Sequence, residues 1–314
     1  MSKKGVVILI LAAVIVIHVS AFLLMVEGVE LVSTYFYLLA WWTYIVFLSC
    51  INHLGGQNSL LLDNPREFLW VFFYSTPVWL FFEIHNFWLD NWSYTGIPSE
   101  AYVRWPGYVL AFGTVLPGIF ETENFLRSFG VFTQLRGRPV KVTQWLLVRF
   151  LIVGSLMMLL VPLRPDLFFP LLWLGWIFLL DPLIYRKDRQ RASLLGQAQR
   201  GEYSLLVRLL VTGMMCGLLW EFWNYWASAK WVYTVPYLGF VKIFEMPVLG
   251  FFGFPPFALE CYLLYRAFLL FRERFLRAQR WIPAVTAALV ILYCLLVFTG
   301  IDRWTVAGYK AILS

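Results

Sequence analysis

Apolar stretches of about 18 residues or more recur along the whole 314-residue chain, and each is long enough to cross a bilayer core of about 30 Å. Inside that core no water satisfies the backbone, so such stretches must pair their own N–H and C=O groups as helices. The expected spans are 5–26, 33–51, 67–89, 105–132, 144–163, 167–185, 204–226, 241–271 and 281–299, nine in all. Composition agrees: 61% of residues are hydrophobic and only 14% charged, against about a quarter charged in a soluble domain. An all-α, multi-pass membrane protein follows, with no soluble domain large enough to carry a separate activity.

The formal charge of +7 does not point to nucleic acid, because the basic residues fall in short loops rather than on one soluble face. Lys3 and Lys4 share a side with the loops holding Arg136, Arg138 and Lys141, then Arg186, Lys187, Arg189, Arg191 and Arg200, then Arg272, Arg274, Arg277 and Arg280. The alternate loops hold scattered cations such as Arg104, Arg164 and Lys230. The positive-inside rule puts the N-terminus in the cytoplasm and the C-terminus outside, and the short loops suit a bacterial inner membrane. The apolar run after Lys4 is too long for a typical signal peptide, so it reads as an uncleaved first helix. Cys50, Cys216, Cys261 and Cys294 lie singly in apolar surroundings, without metal or redox spacing, and read as packing residues.

An internal repeat is visible. Glu83-x-x-Asn86-Phe87-Trp88, then Trp92-x-Tyr94-Thr95, returns as Glu221-x-x-Asn224-Tyr225-Trp226, then Trp231-x-Tyr233-Thr234. Pro117, Glu121 and Arg127 likewise match Pro256, Glu260 and Arg266. The expected organisation is a four-helix unit at 1–142, a second at 143–272 and a C-terminal helix and tail at 273–314, the last an appendage. Four crossings return the chain to its starting side, so the copies have parallel topology about an axis along the membrane normal. Prolines 117, 255 and 256 mark the fourth and eighth spans for tilting or breaking.

Intramembrane carboxylates are functional candidates by default, costing about 2.5 to 3.5 kcal/mol on insertion scales. Glu121 and Glu260 lie one turn below a proline and are candidate proton donors. The competing reading is a buried ion pair with Arg127 or Arg266 that holds the units together. Glu83 and Glu221, each with an asparagine on the same face three residues on, form a second candidate pair. Asn86 and Asn224 could bind a ligand or merely tether the loop that follows. Trp92, Trp231, Tyr94 and Tyr233 suit either an interfacial aromatic belt or an aromatic lining for an apolar or cationic ligand. Asp181, beside Pro182, reads as a helix terminator and Glu245 as an interfacial charge. His85 borders the Glu83 cluster, but no histidine pairs at metal-ligand spacing, and no metal or cofactor is expected.

At 80–127 and 218–266 the chain is similar to the small integral-membrane lycopene cyclase family, in which a polar, Trp-rich segment precedes a helix bearing proline and acidic residues. The stretch from Glu245 through Pro247 resembles that family's Pro-Leu-Glu-Glu helix start in placement, without the paired glutamates after the proline. The resemblance implies acid catalysis on an isoprenoid by a carboxylate at the repeat interface, needing no cofactor. Two other readings stand beside it: a proton-coupled transporter using the same carboxylates, and a membrane scaffold in which they serve only stability. The expected partners are the membrane and a lipid or hydrophobic small molecule.

Overall fold

The computed structural model describes residues 2–188, 192–237, 241–279 and 281–307, and, within the last helices, the backbone but not the side chains of residues 273 and 274. Arg189, Arg191 and Arg280 lie outside the described residues, as does the Arg274 side chain. In chain order the elements are α1 (Lys3–Val26), α2 (Glu30–Leu54), α3 (Leu60–Asp63), α4 (Pro65–Leu89), β1 (Trp92–Thr95), α5 (Ala101–Phe112) and α6 (Val115–Ser128). There follow α7 (Gln144–Leu160), α8 (Pro165–Phe168), α9 (Leu172–Lys187), α10 (Leu194–Gln199), α11 (Ser204–Trp226), β2 (Lys230–Tyr233), β3 (Lys242–Ile243), β4 (Met246–Pro247), α12 (Phe254–Leu276) and α13 (Trp281–Trp304).

Seven helical segments among the described residues are long and apolar enough to span a membrane: Lys3–Val26, Glu30–Leu54, Pro65–Leu89, Pro165–Lys187, Ser204–Trp226, Val248–Arg272 and Trp281–Trp304. The chain is thus an all-α, multi-pass membrane protein. Two of the nine expected spans differ. Residues 144–163 hold a 17-residue helix, α7, and 105–132 is broken into α5 and α6. The break has a local cause. Pro117 cannot donate to the carbonyl of Gly113, and its ring crowds that carbonyl, so the helix parts four residues ahead of the proline. Ser75 of α4 fills the gap, its hydroxyl donating to Phe112 O at 2.6 Å and accepting from Leu116 N–H at 3.1 Å. In the eighth segment Pro255 and Pro256 sit in the first turn of α12, where proline is tolerated, after a 3-10 turn at Val248–Gly253.

The chain divides into two compact units, each described on its own. Unit one comprises Met1–Phe129, Cys216–Val248 and Tyr293–Ser314; unit two comprises Gly130–Met215 and Leu249–Leu292. In unit one α1 lies along α2 and buries a single stripe, Val7, Val14, Ala21 and Met25. Apart from the half-buried Ile10 and Leu11, its remaining Leu, Ile and Val side chains stay exposed, as a lipid-facing helix requires. Ile45, Phe68 and Phe72 form a core against which Trp42 and Val109 pack. The end of α13 falls in unit one: the Tyr293 hydroxyl donates to Pro77 O at 3.3 Å, and Ile301 is fully buried. In unit two Ile184, Ala192 and Leu263 join α9, α10 and α12. The loop before α7 runs beside residues 198–204 through Gly137 N–H to Gly201 O, Val140 N–H to Ala198 O and Tyr203 N–H to Leu135 O.

Candidate functional site

The candidate site is built in unit one where α4 and the end of α11 run into their strands. Helix α4 ends at Asp90, in the left-handed region at φ 49°, and the Asn86 side chain shapes the turn that follows. Its amide oxygen accepts from Asn91 N–H at 2.9 Å and Trp92 N–H at 3.2 Å, and its NH2 donates to Trp92 O at 2.8 Å. Asn224 does the same after α11, accepting from Trp231 N–H at 2.9 Å and donating to Trp231 O at 2.8 Å. Both asparagines are spent on backbone, which fixes where the next aromatic residues point.

Those residues return to the helices. The Tyr94 hydroxyl donates to Glu83 Oε1 at 2.5 Å, and the indoles of Trp79 and Trp92 reach the same oxygen at 2.8 and 3.2 Å. The Tyr233 hydroxyl donates to Glu221 Oε1 at 2.9 Å. Both glutamates are fully buried, and Oε2 of each has no hydrogen-bond partner among the described residues. Burial, and then the neighbouring carboxylate, hold both phenols well above the usual tyrosine range, so each hydroxyl remains a donor.

Strands β1 and β2 pair antiparallel, Trp92 opposite Tyr233 and Tyr94 opposite Trp231, so each tryptophan faces the tyrosine of the other strand. The segment after β1 and the segment before β2 approach closely at Gly96, which has φ 66° and where a Cβ would lie 2.1 Å from Ser228 O; only glycine fits. Aromatic rings surround the pair. Trp41 packs against Trp223 at 5.0 Å and Trp220 at 5.3 Å between centroids, and Tyr37 meets Trp231 edge-on at 5.1 Å.

Glu121 is elsewhere in unit one and is occupied. Its carboxylate accepts from Ser49 Oγ at 2.7 Å, Asn52 Nδ2 at 2.7 Å, Ser59 Oγ at 3.2 Å, Leu60 N–H at 2.8 Å and Leu61 N–H at 3.1 Å. It therefore closes the N-terminus of α3, whose first N–H groups have no partner within so short a helix. Arg127 donates to Asn124 on its own helix at 2.5 Å. In unit two Glu260 is fully buried and neither oxygen has a partner among the described residues, while Arg266 reaches Asp188 at 3.5 Å. Among the described residues Glu121 is not paired with Arg127, nor Glu260 with Arg266.

Asp181 does not terminate its helix. It lies inside α9, and its two oxygens accept from Leu194 N–H and Leu195 N–H at 2.8 Å each, closing α10. Glu245 pairs with Lys230 at 2.6 Å. Among the described residues His85 makes no hydrogen bond to Glu83; its Nδ1 bonds Phe81 O at 2.8 Å. His53 bonds Asp63 at 2.8 Å. Burial works against the Asp63 charge, but hydrogen bonds from His53, Ser59 N–H and Lys3 together hold this carboxyl below its ordinary range. Among the described residues no cluster of His, Cys, Asp and Glu is arranged to hold a metal ion.

One polar group beside the site escapes sequence reasoning. Asp302, near the end of α13, accepts from Arg104 Nε at 2.8 Å and Nη2 at 2.5 Å, Trp105 Nε1 at 2.9 Å and the Tyr108 hydroxyl at 2.9 Å, with Asp302, Arg104 and Tyr108 buried and Trp105 half-buried in unit one. Arg104 reads as a scattered loop cation, and Asp302 falls beyond the last expected span, 281–299. Residues nearly 200 apart carry no periodic signal linking them. No protein family, curated protein or solved structure matches the chain.

Proposed function

We propose that the chain is an inner-membrane enzyme acting on an isoprenoid or other lipid, with Glu83 and Glu221, rather than Glu121, as its acid and base. One observation carries this reading. Each glutamate is fully buried with Oε1 held by a tyrosine phenol, while Oε2 has no partner among the described residues. A buried polar atom without a partner is costly, and a reacting group placed against it would meet that cost. A carboxyl held at one oxygen is oriented to give or take a proton at the other. The rings of Trp41, Trp92, Trp220, Trp223 and Trp231 suit positive charge developing on a protonated double bond. Glu121, by contrast, is surrounded by five donors, and both its carboxylate oxygens are already engaged.

The matching Glu, Asn, Trp and Tyr residues support a tandem repeat in parallel topology, at 1–142 and 143–272 with 273–314 following. The charge bias of the loops supports a cytoplasmic N-terminus and an external C-terminus. The similarity to integral-membrane lycopene cyclases is in keeping with carbocation chemistry and no cofactor. The lipids that copurify with the wild-type protein and with a Glu83→Gln, Glu221→Gln double variant test the reading by mass spectrometry. An isoprenoid or lipid retained by both, but converted only by the wild type, is the expected result. An identical lipid profile in the two preparations overturns it; acid-driven solute uptake into proteoliposomes, lost in the double variant, would then identify a carrier.

A further inference from the structure

The two glutamates are held unequally. Glu83 Oε1 takes three donors, from Trp79, Trp92 and Tyr94. Four residues before Glu221, where Glu83 has Trp79, the chain has Gly217 and so no side chain to donate. The strands differ too. Tyr94 N–H donates to Thr305 O at 2.7 Å, and Tyr94 bridges Val306 in parallel register, so the two residues that follow α13 hold β1. In β2, Tyr233 O accepts from the exposed Lys242 ammonium at 3.1 Å.

What fixes that end of α13 is Asp302. Its four donors come from α5, and Arg104, which supplies two of them, also donates to Pro98 O at 2.8 Å and Ser99 O at 2.5 Å. A bidentate guanidinium on a buried carboxylate sets both direction and distance. Thr305 follows Asp302 by three residues on the same backbone, and its own hydroxyl donates to Ile301 O at 2.9 Å, so the carbonyl that receives Tyr94 N–H is carried by the Asp302 anchor. From there the path runs through the Tyr94 backbone to its phenol and on to Glu83.

We propose that Asp302 is a positioning residue for Glu83, acting through Thr305 and Tyr94, and that it gives the two glutamates different roles: Glu83 the fixed acceptor and Glu221 the mobile proton donor. The assignment of catalytic roles rests on the function proposed above. The coupling of Asp302 to Glu83 does not, and it is read on the resting protein without turnover.

The experiment is isotope-edited infrared spectroscopy of the purified full-length protein labelled at glutamate. The bands of Glu83 and Glu221 are assigned by their loss in Glu83→Gln and Glu221→Gln, and the band of Glu83 freed from its phenol is read in Tyr94→Phe. Asp302→Asn is expected to shift the Glu83 band to its Tyr94→Phe position and to leave the Glu221 band in place, with Asp302→Glu restoring part of the shift. Arg104→Lys, which keeps the charge and loses the two-pronged contact, is expected to shift the same band in the same direction and decides the matter if Asp302→Asn does not fold. An unmoved Glu83 band in a folded variant, or equal shifts of both bands, overturns the proposal. A lipid-profile failure with the selective shift intact would remove the enzyme reading and leave the coupling standing.

Discussion

In unit one the four-residue helix α3 is closed by a carboxylate from α6, Glu121; in unit two the six-residue helix α10 is closed by one from α9, Asp181. Each short helix starts at a serine, Ser59 or Ser193, whose hydroxyl accepts an N–H of the first turn. The need is the same in both places: N–H groups buried at the start of a short helix must find an acceptor. The supply differs. Glu260 matches Glu121 by sequence, yet in unit two the acceptor is provided by another helix, and Glu260 keeps its position without the partners that give Glu121 its task. A matched motif therefore locates a residue but does not assign its work; the surrounding donors do that.

This comparison can be broken first at its strongest point. Glu121→Ala strands five donors and is expected to cost on the order of 4 kcal/mol in reversible unfolding from detergent, with Asp181→Ala, which strands two N–H groups, costing about 2 kcal/mol. A loss below about 1 kcal/mol at Glu121 would end its description as an anchor. A smaller effect is expected at Asp63, which accepts Ser59 N–H at 3.0 Å and bonds His53 at the end of α3. Its carboxyl lies lower in the folded than in the unfolded chain, so the stabilisation is present above the ordinary carboxylate range. It is lost as pH falls below about 4. Hydrogen exchange at residues 59–63 should accelerate on that side, and an Asp63→Asn variant should lose this component of the acid response. The smallest effect is expected at Glu260, where Gln removes an ionisable group that has no partner to lose. Unfolding should change by less than about 1 kcal/mol, in either direction. A cost there equal to that of Glu121 would show that Glu260 holds the fold after all.

The membrane class was legible because length and hydropathy act locally along the chain, and the Glu-x-x-Asn pairs because i and i+3 share a helix face. Pro117 announced a disturbance in its segment, although not that Ser75 would bridge it. The partners of Glu121 were hidden for another reason: Ser49, Asn52 and Ser59 are ordinary residues that gain meaning only when α2, α3 and α6 meet. The same holds for the mutual facing of Trp92 and Tyr233. Their loops read as an interfacial belt because nothing in either loop specifies that its pairing partner lies in the other. Arg104 and Asp302 are the extreme case, separated by most of the chain.

The β1–β2 register also bears on biogenesis. Trp92 pairs with Tyr233, so the ribbon closes a loop of about 140 residues, and such closure waits for both ends to be present. During synthesis from the N-terminus, Glu83 and Tyr94 emerge long before Trp231 and Tyr233 exist to face them, and longer still before Thr305 arrives to hold Tyr94. The first half of the candidate site must therefore pass through the insertion machinery with its strand edge unpaired, which makes residues 92–95 the stretch where a membrane chaperone has most to protect.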